Sequence, residues 1–142
     1  MRVYLDSNVF ISMINQEMGF FFRPLFREAE DFFSKVKKGK HTLILSDLFF
    51  KEVIKHCFNS REDILNEFRK KELLFECFSK HDKLFDDFFI EGIHLTDCIH
   101  IRNALASNCD CIVSFNAKHF SKACNKINVF DPIEAAQEFR FP

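Results

Sequence analysis

The sequence begins with the stretch Val3-Tyr4-Leu5-Asp6-Ser7-Asn8, in which a short apolar run ends abruptly in an acid, a hydroxyl and an amide. The run from Arg2 to Leu5 predicts a buried β-strand, because it is short, rich in β-branched and aromatic residues and followed by polar turn residues. A carboxylate is costly inside a buried strand, so the position of Asp6 at the strand end needs an explanation.

Later parts of the chain repeat this alternation of short apolar strands and amphipathic helices. Between residues 25 and 38, apolar residues recur every three or four positions, which predicts one buried helical stripe. Ser46 or Asp47 is expected to cap the helix after the second strand, Thr96 to cap a later one and Pro132 to open the last. The expected strands are 2–5, 42–45, 111–114 and 128–130. The first expected helix is capped by Ser7 or Asn8. The other expected helices are 25–38, 47–58, 61–78, about 81–90 and 97–107.

Short apolar strands separated by helices indicate a parallel sheet with helices on both of its faces. We therefore expect an α/β fold of three layers, α/β/α, around a short central parallel sheet of four or five strands. The chain contains no linker or repeat, so residues 1–142 are expected to form a single domain. In such a sheet the carboxyl ends of the strands and the N-termini of the helices share one edge, where ligands bind.

Four polar side chains are predicted to meet at that edge. Asp6 ends the first strand, Glu52 lies near the start of the helix after the second strand, and Asp97 lies in the first turn of the helix that leads into the third strand. Asn116 follows the end of that third strand. Three carboxylates at close range repel one another, and a divalent cation relieves the repulsion. Oxygen ligands without a convincing histidine or cysteine set favour Mg²⁺ or Mn²⁺ over zinc.

The composition is typical of a globular protein, with 47% hydrophobic and 29% charged residues. The net charge of −1 provides no global attraction to nucleic acid, so a phosphate-containing partner would need local basic groups or a metal ion. The sequence contains six cysteines, and the stretch before them does not have the charged and then apolar pattern of a secretory signal peptide. We therefore expect a cytoplasmic protein with reduced cysteines. No apolar run has the length of a membrane span, so no membrane association is expected. The 21 phenylalanines are attributed to compositional bias, but an exposed apolar patch would mark a partner surface.

The pattern resembles the PIN-domain ribonucleases, many of which are toxins of toxin–antitoxin pairs. The resemblance spans the whole chain and rests on Leu5-Asp6-Ser7-Asn8, on Glu52 after Ser46-Asp47, on Thr96-Asp97, on Ile112-Val113-Ser114-Phe115-Asn116 and on the late strand followed by Pro132. It implies a PIN-like domain that cuts RNA with the help of a bound metal ion. It also implies a homodimer and an antitoxin protein as partners.

The resemblance further implies roles for particular residues. Asp6, Glu52 and Asp97 would be the metal-binding and catalytic acids, and Asn116 occupies a place where the family often has a fourth aspartate. That departure lowers the negative charge and would weaken a second metal ion while leaving a single-metal site. Ser7 and Ser114 match positions of small hydroxyl residues and, with Asn8, are expected to orient the ligands.

Each acid also has a purely structural interpretation. Asp6 could cap a helix, Glu52 could be an exposed helix acid, and Asp97 could be a favourable charge at a helix N-terminus. The metal interpretation is preferred because the predicted topology brings all three together.

The histidines and basic residues leave alternatives open as well. His94, His100 and His119 are candidates for a general base, and His100 lies about one turn after Asp97, but a satisfied core or surface histidine is the preferred interpretation. The basic runs at 35–41 and 69–71 are interpreted as solvated faces rather than RNA-binding tracks. Lys118 and His119 border the predicted site and are better placed to bind a substrate phosphate.

Two functions follow from these observations. The first is a metal-dependent endoribonuclease, plausibly a toxin whose antitoxin lies along an apolar surface near Phe20–Phe22 or Phe88-Phe89. The second is a noncatalytic PIN-like module that binds RNA or protein, which the asparagine at position 116 motivates. A generic nucleotide-binding domain is disfavoured, because none of the glycines, Gly19, Gly39 and Gly92, forms a phosphate-binding loop after a strand.

Overall fold

The computed structural model describes residues 1–79, 90–123 and 125–139. In this part of the chain, β-strands and α-helices alternate around one parallel sheet, which confirms the predicted α/β class. No helix among the described residues combines the length and the apolarity needed to cross a membrane. The helix expected over about 81–90 and the segment Phe88-Phe89 fall outside the described residues, except for Ile90.

The element bounds are as follows. The strands are β1 (Arg2–Leu5), β2 (Thr42–Ser46), β3 (Leu74–Phe78), β4 (Cys111–Val113) and β5 (Asn128–Phe130). The α-helices are α1 (Ser7–Ile14), α2 (Leu25–Lys38), α3 (Asp47–His56), α4 (Arg61–Lys70), α5 (Leu95–Ala106) and α6 (Pro132–Glu138). Short 3₁₀ segments cover Phe20–Phe22 and Ala117–Ala123.

The sheet has the strand order β3-β2-β1-β4-β5, and every neighbouring pair is parallel. The first strand is therefore the middle strand, and Val3 lies opposite Leu43 on one side and Cys111 on the other. Because the strands run in the same direction, their carboxyl ends meet at one edge. That edge carries Asp6 directly after β1 and Ser114 directly after β4.

Alternate residues of the central strands enter two different cores. Val3 and Leu5 pack with the first core, which includes buried residues of α1, α2, α3, α4 and α6. Tyr4 packs on the opposite face with residues of α5 and of the 3₁₀ segment Ala117–Ala123. Both faces of the sheet are thus covered, which makes three layers and explains why the strands are almost continuously apolar.

Phenylalanine fills much of the first core. The rings of Phe10 and Phe68 stack with centroids 5.0 Å apart, and Phe33 and Phe49 meet this pair at steeper angles. These packed rings have a structural role in the core. The segment Phe20–Phe22 is different, because its three side chains are 86–100% exposed.

The expected helix over 61–78 is wrong in its second half. Helix α4 ends at Lys70, Glu72 adopts a left-handed φ of 57°, and the Leu73 N–H donates to the carbonyl of Phe68. Residues Leu74–Phe78 then form the edge strand β3, paired in parallel with β2. Ile64, Leu65 and Phe68 have the three- and four-residue spacing of a helix, and no glycine or proline marks the turn that follows.

The helix caps are partly as expected. Ser46 caps α3 by accepting a hydrogen bond from the Phe49 N–H, and Pro132 opens α6 behind a capping box formed by Asp131 and Glu134. Two caps are corrected. Asp6, rather than Ser7 or Asn8, holds the N-cap position of α1, and His94, rather than Thr96, holds that of α5.

Candidate metal centre

Asp6 is fixed at the carboxyl edge of the sheet by backbone and side-chain contacts. Its N–H donates to the Val113 carbonyl at 3.0 Å, which continues the pairing of β1 with β4 by one residue. Its carboxylate is buried, and Oδ2 accepts a 2.7 Å hydrogen bond from the Ser114 hydroxyl. Ser7 Oγ lies 3.5 Å from Oδ1. The Ser114 hydroxyl therefore holds Oδ2 in one orientation, while Oδ1 lies on the side of His100.

Glu52 comes from the second turn of α3, the helix that directly follows β2. Ser46 ends that strand and caps the helix, so the chain turns without a loop and keeps Glu52 near the strand end. Its side chain is 31% exposed, but Oε1 is buried. No described residue donates a hydrogen bond to this oxygen.

His100, on α5, completes a compact group with the two acids. Nε2 lies 3.2 Å from Glu52 Oε1 and 3.8 Å from Asp6 Oδ1. One potential ligand atom from each of the three residues lies within 4.8 Å of the others. The Glu52 contact has ion-pair length without the alignment of a hydrogen bond, so we interpret it as a charge contact. Two carboxylates and one imidazole in this arrangement match the ligand types of a divalent metal site.

The second nitrogen of the His100 ring is also held. Nδ1 lies 2.7 Å from the Tyr4 hydroxyl, and that hydroxyl lies 2.9 Å from Ser46 Oγ. Burial raises the pKa of the Tyr4 phenol, so it keeps its proton near neutral pH. Burial alone would lower the pKa of His100, but Glu52, Asp6 and Asp97 raise it, and the net shift is upward.

Asp97 lies in the first turn of α5, half-buried and outside the group of three. Burial raises the pKa of its carboxyl, and the negative charge of Asp6 adds to that effect. The positive charges of His100, His119 and His94 oppose it, but the net direction is upward. The charge of Asp6 therefore acts on the Asp97 carboxyl.

Asn116 and Asn8 take part in a hydrogen-bond network rather than in the group of three. The Asn116 N–H donates to Ser114 Oγ at 3.0 Å, and the Asn116 side chain is exposed. The Asn8 side chain donates to the same hydroxyl at 3.3 Å and accepts from the Phe115 N–H at 3.1 Å. This network links the end of β4 to the start of α1 and supports the orientation of Asp6.

Lys118 and His119 are exposed on the 3₁₀ segment that follows Asn116. A pocket of about 510 Å³ is lined by Gly92, His94, Asp97 and His119. Asp97 therefore faces a space in which a polar ligand has room to bind. Lys118 does not line this pocket.

His100 is the residue that sequence reasoning did not select for the site. Its spacing of three from Asp97 placed it on a nearby helix face, but the apolar residues around it favoured a core histidine. The structure agrees that it is buried and hydrogen-bonded, and it also places the ring against Asp6 and Glu52. The signal that could have found it is the tyrosine two residues before Asp6, whose side chain lies on the face of the sheet that α5 covers.

Comparison of the chain with models of protein families and with curated proteins gave no match. The resemblance to PIN-domain ribonucleases therefore remains a hypothesis that rests on the motifs described above.

Proposed function

We propose that this protein is a metal-dependent endoribonuclease that hydrolyses phosphodiester bonds in RNA. The observation that carries the proposal is the meeting of Asp6, Glu52 and His100 at the carboxyl edge of a parallel sheet, with ligand atoms within 4.8 Å of one another. This edge is where open α/β sheets bind their ligands. The choice of RNA as substrate rests on the resemblance to PIN-domain ribonucleases.

The residues present fit a divalent metal ion. Glu52 Oε1 is buried without a hydrogen-bond donor from the described residues, and a buried carboxylate oxygen without a partner is costly. Asp6, Glu52 and His100 would hold the ion. A bound Mg²⁺ or Mn²⁺ supplies Lewis acidity that makes water a nucleophile near neutral pH and neutralises charge on the phosphate.

The surrounding residues would position the reaction. Ser114 holds Asp6 in one orientation through Oδ2, so Oδ1 would be the oxygen that binds the ion. Asp97 lines the pocket, where it would accept a proton from the attacking water, and burial together with the charge of Asp6 raises the pKa of its carboxyl. His119 lines the same pocket, and Lys118 lies beside it in sequence, so both would bind the phosphate backbone. Lys118 would supply a local positive charge, which the net charge of −1 does not.

The biological setting is part of the proposal. The exposed side chains of Phe20–Phe22 form an apolar surface that an antitoxin would cover. The five described cysteines are unpaired, which agrees with a reducing, cytoplasmic location. A small antitoxin-like reading frame next to the gene would support the toxin assignment. A homodimer is implied by the resemblance.

A noncatalytic module that binds RNA or protein is the second candidate. It is favoured by His100, whose raised pKa allows an imidazolium to neutralise Asp6 and Glu52 without any metal ion. Asn116, which brings no charge to the site, also favours it. In this case the acidic group would be a structural ion cluster.

Cleavage of end-labelled RNA tests the proposal. The full chain is incubated with Mg²⁺, with Mn²⁺ or with EDTA, and Asp6→Asn and Asp97→Asn are compared with Asp31→Asn, an exposed change on α2. We expect metal-dependent cleavage that both site variants lose and the control keeps. Activity retained in both site variants would refute the site, whereas wild-type protein inactive with either ion would favour the noncatalytic module.

A further inference from the structure

Tyr4 contacts His100 of the group formed by Asp6, Glu52 and His100, and it has no role in the function proposed so far. It is completely buried in the central strand, and its ring meets the His100 ring at 68°, with centroids 5.6 Å apart. Its hydroxyl lies between His100 Nδ1 at 2.7 Å and Ser46 Oγ at 2.9 Å. Ser46 is itself fixed, because its hydroxyl oxygen accepts from the Phe49 N–H at 3.2 Å. A continuous chain of contacts therefore runs from the start of α3 to the His100 ring.

The proton positions in this chain decide what the other ring nitrogen can do. If Nδ1–H donates to the Tyr4 oxygen, the Tyr4 O–H donates to Ser46 Oγ, and the neutral ring presents a lone pair at Nε2. In the opposite arrangement Tyr4 donates to Nδ1 and Nε2 carries the proton, directed towards Glu52. Since Glu52 Oε1 receives no aligned hydrogen bond from Nε2 at 3.2 Å, the first arrangement fits the geometry better.

We propose that Tyr4, supported by Ser46, orients His100 as a nitrogen ligand beside Asp6 and Glu52, and that this nitrogen makes the site bind Mn²⁺ in preference to Mg²⁺. This inference rests on the metal-dependent function proposed above. A histidine that binds a metal usually donates its other N–H to a fixed acceptor, which sets the tautomer and the ring direction. Here the acceptor is a phenol oxygen inside the sheet.

The metal preference follows from ligand type. Mg²⁺ favours oxygen ligands in near-ideal octahedral geometry and loses its waters reluctantly. Imidazole suits the later first-row ions best, and Mn²⁺, although the weakest binder of that series, still accepts a nitrogen ligand more readily than Mg²⁺ does. One imidazole that is held rigidly by Tyr4 therefore favours Mn²⁺, whereas an oxygen in its place would suit both ions.

Metal binding at constant pH tests this inference independently of RNA cleavage. Free Mn²⁺ is followed by electron paramagnetic resonance during titration of the full chain, and Mg²⁺ affinity is obtained by competition. His100→Gln, which places an amide oxygen near the position of Nε2, is expected to lower the Mn²⁺/Mg²⁺ affinity ratio about tenfold or more. Tyr4→Phe keeps the aromatic ring and is expected to lower Mn²⁺ affinity about tenfold. His56→Gln, an exposed change in the last turn of α3, is the matched control and should bind as wild type.

A second measurement uses wild-type protein only, in case a variant fails to fold by circular dichroism. In ¹⁵N-labelled protein loaded with ¹¹³Cd²⁺ as a diamagnetic substitute for Mn²⁺, we expect scalar coupling to Nε2 of His100 and none to Nδ1. Absence of that coupling overturns the inference. So does an unchanged Mn²⁺/Mg²⁺ affinity ratio in folded His100→Gln together with an unchanged Mn²⁺ affinity in folded Tyr4→Phe, and if Asp6→Asn then loses metal, the proposed metal site still stands. Wild-type protein that binds neither ion overturns both proposals together.

Discussion

Nε2 of His100 lies 3.2 Å from Oε1 of Glu52, close enough for a charge contact, and no described residue donates a hydrogen bond to that oxygen. In the absence of a metal ion, a protonated His100 is the group that offsets the negative charge of the two neighbouring acids. A metal ion at the same place would replace that proton as the positive charge. If the proposed metal ion binds there, the stability of the metal-free protein and its affinity for metal would be linked through this contact.

The first prediction concerns the pH dependence of stability in EDTA. The folded pKa of His100 is raised, so its contribution to stability is fully present below the unfolded value of about 6.5 and is lost as pH rises through the folded pKa. We expect the free energy of unfolding of wild type minus that of His100→Gln to fall as pH rises above about 6.5. Urea denaturation at several pH values measures this difference.

The comparison with His100→Gln is needed because other groups also make the stability depend on pH. Burial lowers the folded pKa of His41, so His41 contributes stability that is present above pH 6.5 and lost towards acid, opposite in sign to His100. Burial raises the pKa of Cys109 to about 11 and that of Cys111 to about 12, which costs stability only above the usual thiol range. A difference that rises with pH would contradict the assigned shift of His100.

The second prediction concerns the coupling of Asp97 to Asp6. Burial is the main cause of the raised pKa of Asp97, and the charge of Asp6 is the second. In Asp6→Asn we therefore expect the pKa of Asp97 to fall towards the usual aspartate value but to stay above it. Carboxyl ¹³C resonances followed through an acid titration report this pKa directly, and Asp31→Asn is the control that should leave it unchanged. An Asp97 pKa that is the same in wild type and Asp6→Asn would mean that the two carboxylates do not interact.

The third prediction concerns Ser114, whose buried hydroxyl contacts three polar groups. Ser114→Ala leaves Asp6 Oδ2 and the Asn116 N–H without these partners. Buried groups that lose their partners cost about 1–3 kcal/mol, so we expect the free energy of unfolding in urea to fall by that amount. Ser121→Ala, at an exposed position of the 3₁₀ segment, should change it by less than about 0.5 kcal/mol. If both changes cost the same, Ser114 does not hold the edge of the sheet together.

The fold could be predicted where a strand is apolar and bounded by polar residues. The central strand β1 and its neighbours have these signals, and the stripe of α2 gave both ends of that helix. The edge strand β3 could not be found, because its exposed residues lack the alternation of a half-buried strand. The turn before it depends on Glu72 in a left-handed conformation, and a glutamate at that position does not indicate such a conformation in the sequence.

The site could be predicted in part for a related physical reason. Asp6 directly follows a strand end and Glu52 lies in the second turn of the helix that directly follows another, so topology alone brings them to one edge. The role of His100 depends instead on register: Tyr4 pairs with Ile112 and Ile44, which fixes the depth of its hydroxyl relative to α5. The rotation of α5 about its axis, which decides whether His100 faces the acids, is set by packing in the second core. A single sequence does not specify that rotation.

The last prediction concerns the backbone of the exposed phenylalanine segment. Phe21 is fully exposed, and its φ of 56° lies in the left-handed region, where a side chain with a Cβ is strained by about 1–2 kcal/mol. Asparagine tolerates this conformation better, and no buried apolar contact is lost at this position. We therefore expect Phe21→Asn to raise the free energy of unfolding by several tenths to about 1 kcal/mol, measured by urea denaturation. Phe20→Asn is the matched control, because Phe20 is 92% exposed without a positive φ and should give no such gain. Equal increases in the free energy of unfolding at both positions would point to removal of exposed aromatic surface rather than relief of backbone strain. A decrease at Phe21 alone would mean that its ring makes a stabilising contact in solution that outweighs the strain of the left-handed backbone.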